Sequence, residues 1–329
     1  HRIMKLTKAT DFALRLTSFL TEYLPSQRSL SPNTIRSYRD AFVLLLRYCQ
    51  EVRGMRIEVL RLKDIDVSLI VQFLEHIKKE RGCSARTRNN RLAAFHSFFR
   101  YVQAEEPERL RDCQRILAIP LRRIAQAEPT YLSVEDLAAI LQQPDLSTPH
   151  GRRDALLLSL LYDAGARVQE LIDISIADLR LASPPQVRLI GKGRKIRIVP
   201  LMKGTAANLR DYLKEHALDR PERANEPLFV NRNGNRLSRW GVRYILSKYH
   251  ERARIQRRTV PENVTPHTLR HTKAMHLVQS GNPVVVIRDF LGHSDMQSTQ
   301  IYAKADLDMK RRALEKASQL PERKKTRSW

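Results

Sequence analysis

Cysteine is scarce in this sequence. Its 329 residues hold three, Cys49, Cys83 and Cys113, too few and too far apart for a disulfide framework or a Cys-x-x-Cys metal pair. They stand in or beside apolar helical patterns, which reads as buried structural thiols in a reducing compartment. Long apolar runs are missing too: none approaches the ~18 residues of a membrane span. The first residue, His1, reads as a trimmed or tagged start, and no charged-then-apolar signal pattern follows it. There is no low-complexity tract and no internal repeat. Acidic residues are in deficit and form no cluster at metal-binding spacing, which disfavours a two-metal nuclease. These absences point to a globular cytoplasmic protein with no membrane span, and no metal or other cofactor is expected.

What is abundant is base. Lys and Arg total 59 against 35 Asp and Glu, a formal net charge of +24 and an isoelectric point near 10.4. Such an excess opposes self-association and attracts polyanions. Nucleic acid, whose phosphates dominate affinity, fits best; a merely basic protein or an acidic membrane surface are the alternatives.

The length is comfortable for two domains. Residues 1–118 read as helices almost throughout. "TDFALRLTSFLTEYL" puts Phe12, Leu16, Phe19, Leu20 and Tyr23 on one stripe, and "SPNTIRSYRDAFVLLLRYCQEVRG" opens with a Ser-Pro start signal. "VSLIVQFLEHIKKERG" and "SARTRNNRLAAFHSFFRYVQ" add two more helices. The first turns of the latter carry Arg86, Thr87, Arg88, Asn89, Asn90 and Arg91, side chains suited to phosphate and base-edge contact or simply to a solvated helix start. Arg36 and Arg39 stand on the second helix. A Pro-containing linker over 119–130 follows.

The second domain, 131–320, opens with a capping-box pattern from Ser133 to Asp136. "QVRLIGKGRKIRIVPL" has β character, with Val187 and Leu189, then Ile196 and Ile198, alternating around a Gly191-Lys192-Gly193 turn. Residues 321–329 read as a basic disordered tail.

Four short segments hold more polar groups than packing demands. In "AGARVQEL", Arg167 and Glu170 share a helical face; a surface ion pair explains them, and so does a partly buried Arg whose fork still reaches an anion. The hairpin tip "GKGRK" presents Lys192, Arg194 and Lys195. "PHTLRHTKAMHL" sets His267 and Arg270 on one face, while His267 and His271 also resemble a zinc pair that lacks a third ligand. "LGHSDMQSTQIYAKA" carries His293 and, nine residues on, Tyr302. Arg239 and Arg243 complete the candidate DNA contacts.

This inventory suits a phosphodiester under attack. Two Arg forks can hold the non-bridging oxygens and neutralise the charge that builds on them. His groups can hydrogen-bond there or move a proton, a Lys can protonate a leaving alkoxide, and a Tyr oxygen can attack phosphorus.

In these four segments, and in "SPNTIRSYRDAFVLLLRYC" and "ARTRNNRLAAFHSFFRYV", the chain resembles the tyrosine recombinases of the phage-integrase and Xer group over nearly its whole length. The resemblance implies a mainly α fold with a small antiparallel β-sheet in the second domain. It also implies a four-to-five-helix core-binding domain and a mixed α/β catalytic domain, closing as a C-shaped clamp on DNA. It makes Tyr302 the nucleophile of a 3′-phosphotyrosyl intermediate, formed without metal or ATP. Arg167 and Arg270 would clamp the phosphate, with His267 and His293 on its oxygens. Lys192 would be the general acid and Glu170 the support of Arg167. Partners would be double-stranded DNA with inverted-repeat half-sites and further copies of the chain in a synaptic tetramer. The helix expected over 307–320 would dock on a neighbour or on its own domain. The host setting would be prokaryotic or mobile-element-borne and nucleoid-associated. Ala166 and Lys304 depart from the family pattern without removing a catalytic group. A type IB topoisomerase-like activity and a non-catalytic DNA-binding accessory factor are the alternatives.

Overall fold

The computed structural model of the chain describes residues 9–124 and 130–292, and of Lys192 only the backbone. His293, Tyr302, the helix expected over 307–320 and the basic tail lie outside the described residues. The chain forms two compact units, His1–Gln126 and Ala127–Trp329, each built round its own apolar core.

Local chemistry starts the helices of the first unit. Thr10, Ser31, Asp66 and Ser84 each accept a backbone N–H three residues on, satisfying a donor that every helix start leaves open. They open α1 (Asp11–Ser18), α2 (Pro32–Glu51), α3 (Val67–Arg81) and α4 (Ala85–Glu105), and α5 (Leu110–Leu117) follows. Phe19, Phe42, Phe95 and Phe98 meet edge to face in the core, with ring centroids 5.1 to 5.3 Å apart, the arrangement that aromatic quadrupoles favour. The stripe from Phe12 to Tyr23 is not one α-helix. From Phe19 to Gln27 the chain widens into a π-helix containing Pro25, which has no N–H to give and crowds the preceding turn. Phe12 and Phe19 are buried all the same.

The second unit begins with α6 (Val134–Leu141) and α7 (Pro149–Asp163). Leu156, Leu157, Leu158, Leu160 and Leu161 of α7 are all buried, so this helix is enclosed on most sides. Next come the five-residue α8 (Val168–Ile172) and a three-stranded antiparallel sheet, β1 (Leu179–Arg180), β2 (Gln186–Ile190) and β3 (Ile196–Pro200), in that spatial order. Among the described residues four helices follow: α9 (Lys203–Glu215), α10 (Arg239–Gln256), α11 (Pro266–Gln279) and α12 (Val284–Leu291). The chain entering the unit docks on α11: Leu132 donates its N–H to Thr272 Oγ1 and accepts at its carbonyl from His276 Nε2. No helix among the described residues is long and apolar enough to cross a membrane.

Two local expectations are corrected. Ser133 caps α6, accepting the Asp136 N–H at 3.1 Å, but the Asp136 carboxylate does not return to close a capping box. It bonds Arg257 Nε and Thr259 Oγ1 instead, because a guanidinium is the stronger donor. In the hairpin, Val187 pairs with Val199 and Leu189 with Arg197. Val187, Leu189 and Val199 are therefore buried, while Ile196 and Ile198 face solvent at 58% and 60% exposure. The isoleucine burial forgone is worth about 1–2 kcal/mol each. In exchange, the side chain of Arg197 is turned inward.

Candidate active site

The site grows from the break between α7 and α8. Arg167 is the residue at which α8 starts, and Glu170, one turn on, folds back to it. Glu170 Oε2 accepts the Arg167 backbone N–H at 2.8 Å, and Oε1 accepts Arg167 Nη1 at 2.6 Å. Arg197 Nη2 reaches the same Oε2 at 2.8 Å from β3, and Arg270 Nη1 of α11 lies 3.9 Å from it. The Glu170 side chain is only 2% exposed. Burial alone would push its carboxyl up, but the hydrogen bond and charge of Arg197, then the backbone and side-chain hydrogen bonds of Arg167, outweigh burial and hold it below the usual carboxylate range. Three guanidiniums thus surround one carboxylate, leaving two positive charges for an anion to answer.

The same arginines hold the end of α12. Arg270 donates Nη1 to Gly165 O and Nη2 to Leu291 O, both at 2.5 Å, and Arg167 Nη2 lies 3.5 Å from Gly292 O. A helix end leaves its last carbonyls without intrahelical partners and carries partial negative charge, so cations belong there. Gly292, at φ +64°, ends α12 in the left-handed conformation that favours glycine, and the next residue in the chain is His293.

His267, the second residue of α11, lies beside Thr265 and Pro266 in a groove that also takes in Val168, Arg239, Trp240 and Arg243. Desolvation, then the charges of Arg270 and Arg167, lower its pKa, leaving a neutral imidazole able to accept or share a proton at neutral pH. His271 is lowered likewise by burial and by His267 and Arg270. Among the described residues no group of three or more His, Cys, Asp or Glu gathers where a metal could be held. Lys192 opens the turn Lys192–Arg194 between β2 and β3. Gly191 before it lies so close to Glu170 that an added Cβ would stand 3.1 Å from Oε1. Arg194, the last residue of the turn, and Lys195 after it are exposed.

In the first unit, a shallow groove between α2 and α4 gathers Arg36, Thr87, Asn90 and Arg91. Arg39 and Arg86 are exposed nearby in sequence but do not line it. Arg88 is not at the surface: it is 5% exposed and reaches the Pro120 carbonyl at 3.5 Å, while Asn89 ties down Arg122 by two hydrogen bonds. Helical phase explains this, because Arg88 shares its face with Leu92, Phe95 and Phe99, all core residues. Sequence reading passed over Trp240 and Tyr244, which stand 78% and 72% exposed on α10. The signal was the four-residue spacing in "RWGVRY", which sets both aromatics beside Arg239 and Arg243.

Comparison with known proteins agrees with this architecture. The pattern described as "Phage integrase family" matches residues 130–308, and "Phage integrase, N-terminal SAM-like domain" matches 17–106. The chain is 41% identical over 315 residues to y4rC of Sinorhizobium fredii, a protein named as an integrase/recombinase, covering 95% of this chain and 93% of that one. It is 34% identical to the tyrosine recombinase XerD of Listeria monocytogenes, covering 85% and 90%. The structure of XerH site-specific recombinase bound to difH substrate before cleavage matches with a TM-score of 0.67 and 25% identity, over 92% of this chain and 84% of that one. The chain therefore belongs to the phage integrase family of tyrosine recombinases, enzymes of site-specific recombination that cut and rejoin DNA.

Proposed function

We propose that recombination by this chain runs through Tyr302, with Arg167, Arg270, His267, His293 and Lys192 serving the scissile phosphate. The Tyr302 oxygen attacks phosphorus, the bond to the 5′ oxygen breaks, and Lys192 supplies the proton that makes the 5′-hydroxyl. A 5′-hydroxyl of the other duplex then attacks the 3′-phosphotyrosyl bond and returns the tyrosine. One phosphodiester is exchanged for another, so no ATP is consumed. Arg167 and Arg270 neutralise the charge that grows on the non-bridging oxygens, with His267 and His293 bonding to them. The observation that carries this reading is the Glu170 cluster, where three guanidiniums from α8, β3 and α11 meet one buried carboxylate, beside the chain that leads to His293.

The groove residues Arg36, Thr87, Asn90 and Arg91, with Arg39 and Arg86, supply phosphate and base contacts from the first unit. Arg194, Lys195, Arg239 and Arg243 supply them from the second, with Trp240 and Tyr244 each following one of the last two. The DNA carries two inverted half-sites and is worked by a tetramer, with the 307–320 segment as a contact between copies. Residues 1–118 form the core-binding domain, 119–130 the linker and 131–320 the catalytic domain. The test is a nicked suicide duplex incubated with the full chain: a covalent protein–DNA adduct forms, and Tyr302→Phe abolishes it. An adduct that persists in that variant overturns the assignment. Selection of protected sites from random duplexes, read with the mass of the complex, tests the half-site arrangement and the stoichiometry.

A further inference from the structure

Arg197 belongs to the Glu170 cluster but is given no chemical step in the scheme above, and its placement is the least expected in the sheet. On β3 it is flanked by Ile196 and Ile198, which stand in solvent while the Arg197 side chain is 11% exposed. Stability alone would favour the opposite phase, isoleucines inward and guanidinium outward. The guanidinium finds a partner in Glu170, Nη2 to Oε2 at 2.8 Å. Its Nε is buried with no hydrogen-bond partner among the described residues, a further cost that packing does not explain. Its stem lies against Gly292, where an added Cβ would come within 3.0 Å of Arg197 Cδ.

Glu170 also meets the hairpin a second time. Gly191 lies against Oε1, and its N–H closes the turn on the Lys195 carbonyl at 2.8 Å. The turn that begins with Lys192 is therefore set against Glu170 on both sides, by the close approach of Gly191 before it and by the ion pair of Arg197 after it. Glu170 in turn holds Arg167.

We infer that Arg197 is a positioning residue, which through Glu170 sets the register of the Lys192 turn against the phosphate-binding arginines. It touches no reacting atom; it fixes where the proton donor stands relative to the clamp. A rigid second contact of this kind decides whether a donor on a hairpin tip is within reach of its target. The inference rests on the reading of Lys192 as general acid, and the test separates the two.

The experiment uses the full chain and two suicide duplexes, one with the normal 5′ oxygen at the scissile bond and one with sulfur in its place. With sulfur, the phosphorus–sulfur bond breaks to release a thiolate, which needs no proton: thiols ionise near ~8.5, water only near ~15.7. Arg197→Ala is expected to cut the oxygen duplex roughly 10- to 100-fold more slowly, part of the ~10²–10⁴ that a general acid contributes. It should cut the sulfur duplex within about threefold of the parent protein, on the same effective-proton argument. Arg197→Lys, which keeps a charge beside Glu170 but not the fork, should lose less on oxygen and nothing on sulfur. It stands in for the alanine variant if that one does not fold. Equal losses on both duplexes, or no loss on either, overturn the inference. Lys192→Ala is the control: failure of sulfur to restore its cleavage overturns the general-acid role of Lys192 itself, whatever Arg197 does.

Discussion

Removing the carboxylate at Glu170 strands three guanidiniums beside one another. Glu170→Ala should therefore destabilise the second unit by about 3–5 kcal/mol, the usual cost of breaking a buried ion pair from one side, read by urea unfolding. Glu170→Gln keeps the shape and should recover part of that loss. Acid removes the same charge reversibly. The folded carboxyl titrates below its ordinary value of 4.5, so its stabilisation is complete above that value and disappears as pH falls through the folded one. The Arg167–Glu170 pair was legible from a spacing of three residues in "RVQEL". Arg197 was not: a lone Arg among Arg194 and Lys195 looks like one more surface cation, and only strand phase turns it inward. Arg88 failed in the other direction, because its basic neighbours masked a helical phase it shares with Leu92 and Phe95.

At the scale of elements, α11 collects titrating groups. His271 and His276 are both pushed below 6.5, first of all by burial. His276 Nε2 bonds the Leu132 carbonyl, so it must carry the proton, and Nδ1 then accepts from Tyr162 Oη at 2.8 Å. The unfolded chain binds more protons than the folded one across this range. Stability should thus rise with pH towards 6.5 and fall on acidification, as thermal unfolding from pH 5 to 8 would show. Replacing His276 by Gln should flatten the profile. On α10, Trp240→Ala should leave stability within about 0.5 kcal/mol, as for an exposed side chain, yet weaken DNA binding by about 1 kcal/mol in a titration with the selected site. The helices themselves were readable from caps and periodicity, Ser31-Pro32 and Thr265-Pro266 most plainly. The two-residue β1 was not, since it depends on tertiary pairing rather than on local pattern; the π-helical stretch after Phe19 had its local signal in Pro25.

For the molecule as a whole, the net charge of +24 makes salt the most direct probe. If six to ten phosphates are met, affinity should fall roughly 10³–10⁵-fold between 50 and 200 mM salt, measured by fluorescence anisotropy. Cleavage of DNA already bound should respond far less, because the Glu170 cluster is buried and poorly screened. Two-domain organisation was legible from length and from the linker composition before Thr130. Arg167 and Arg270 were legible only as an inventory, because sequence order does not say which ends of elements meet, and Arg197 was no part of it.

Arg167 and Arg270 already hold the carbonyls of Gly292 and Leu291. A phosphate drawn to the same two guanidiniums is a second ligand for donors in use. Linkage then requires symmetry: whatever the phosphate does to the grip on the end of α12, that grip does equally to the affinity for phosphate. On the proposed scheme, DNA would then act on the protein's own backbone at Leu291 and Gly292 as well as being the substrate that is cut.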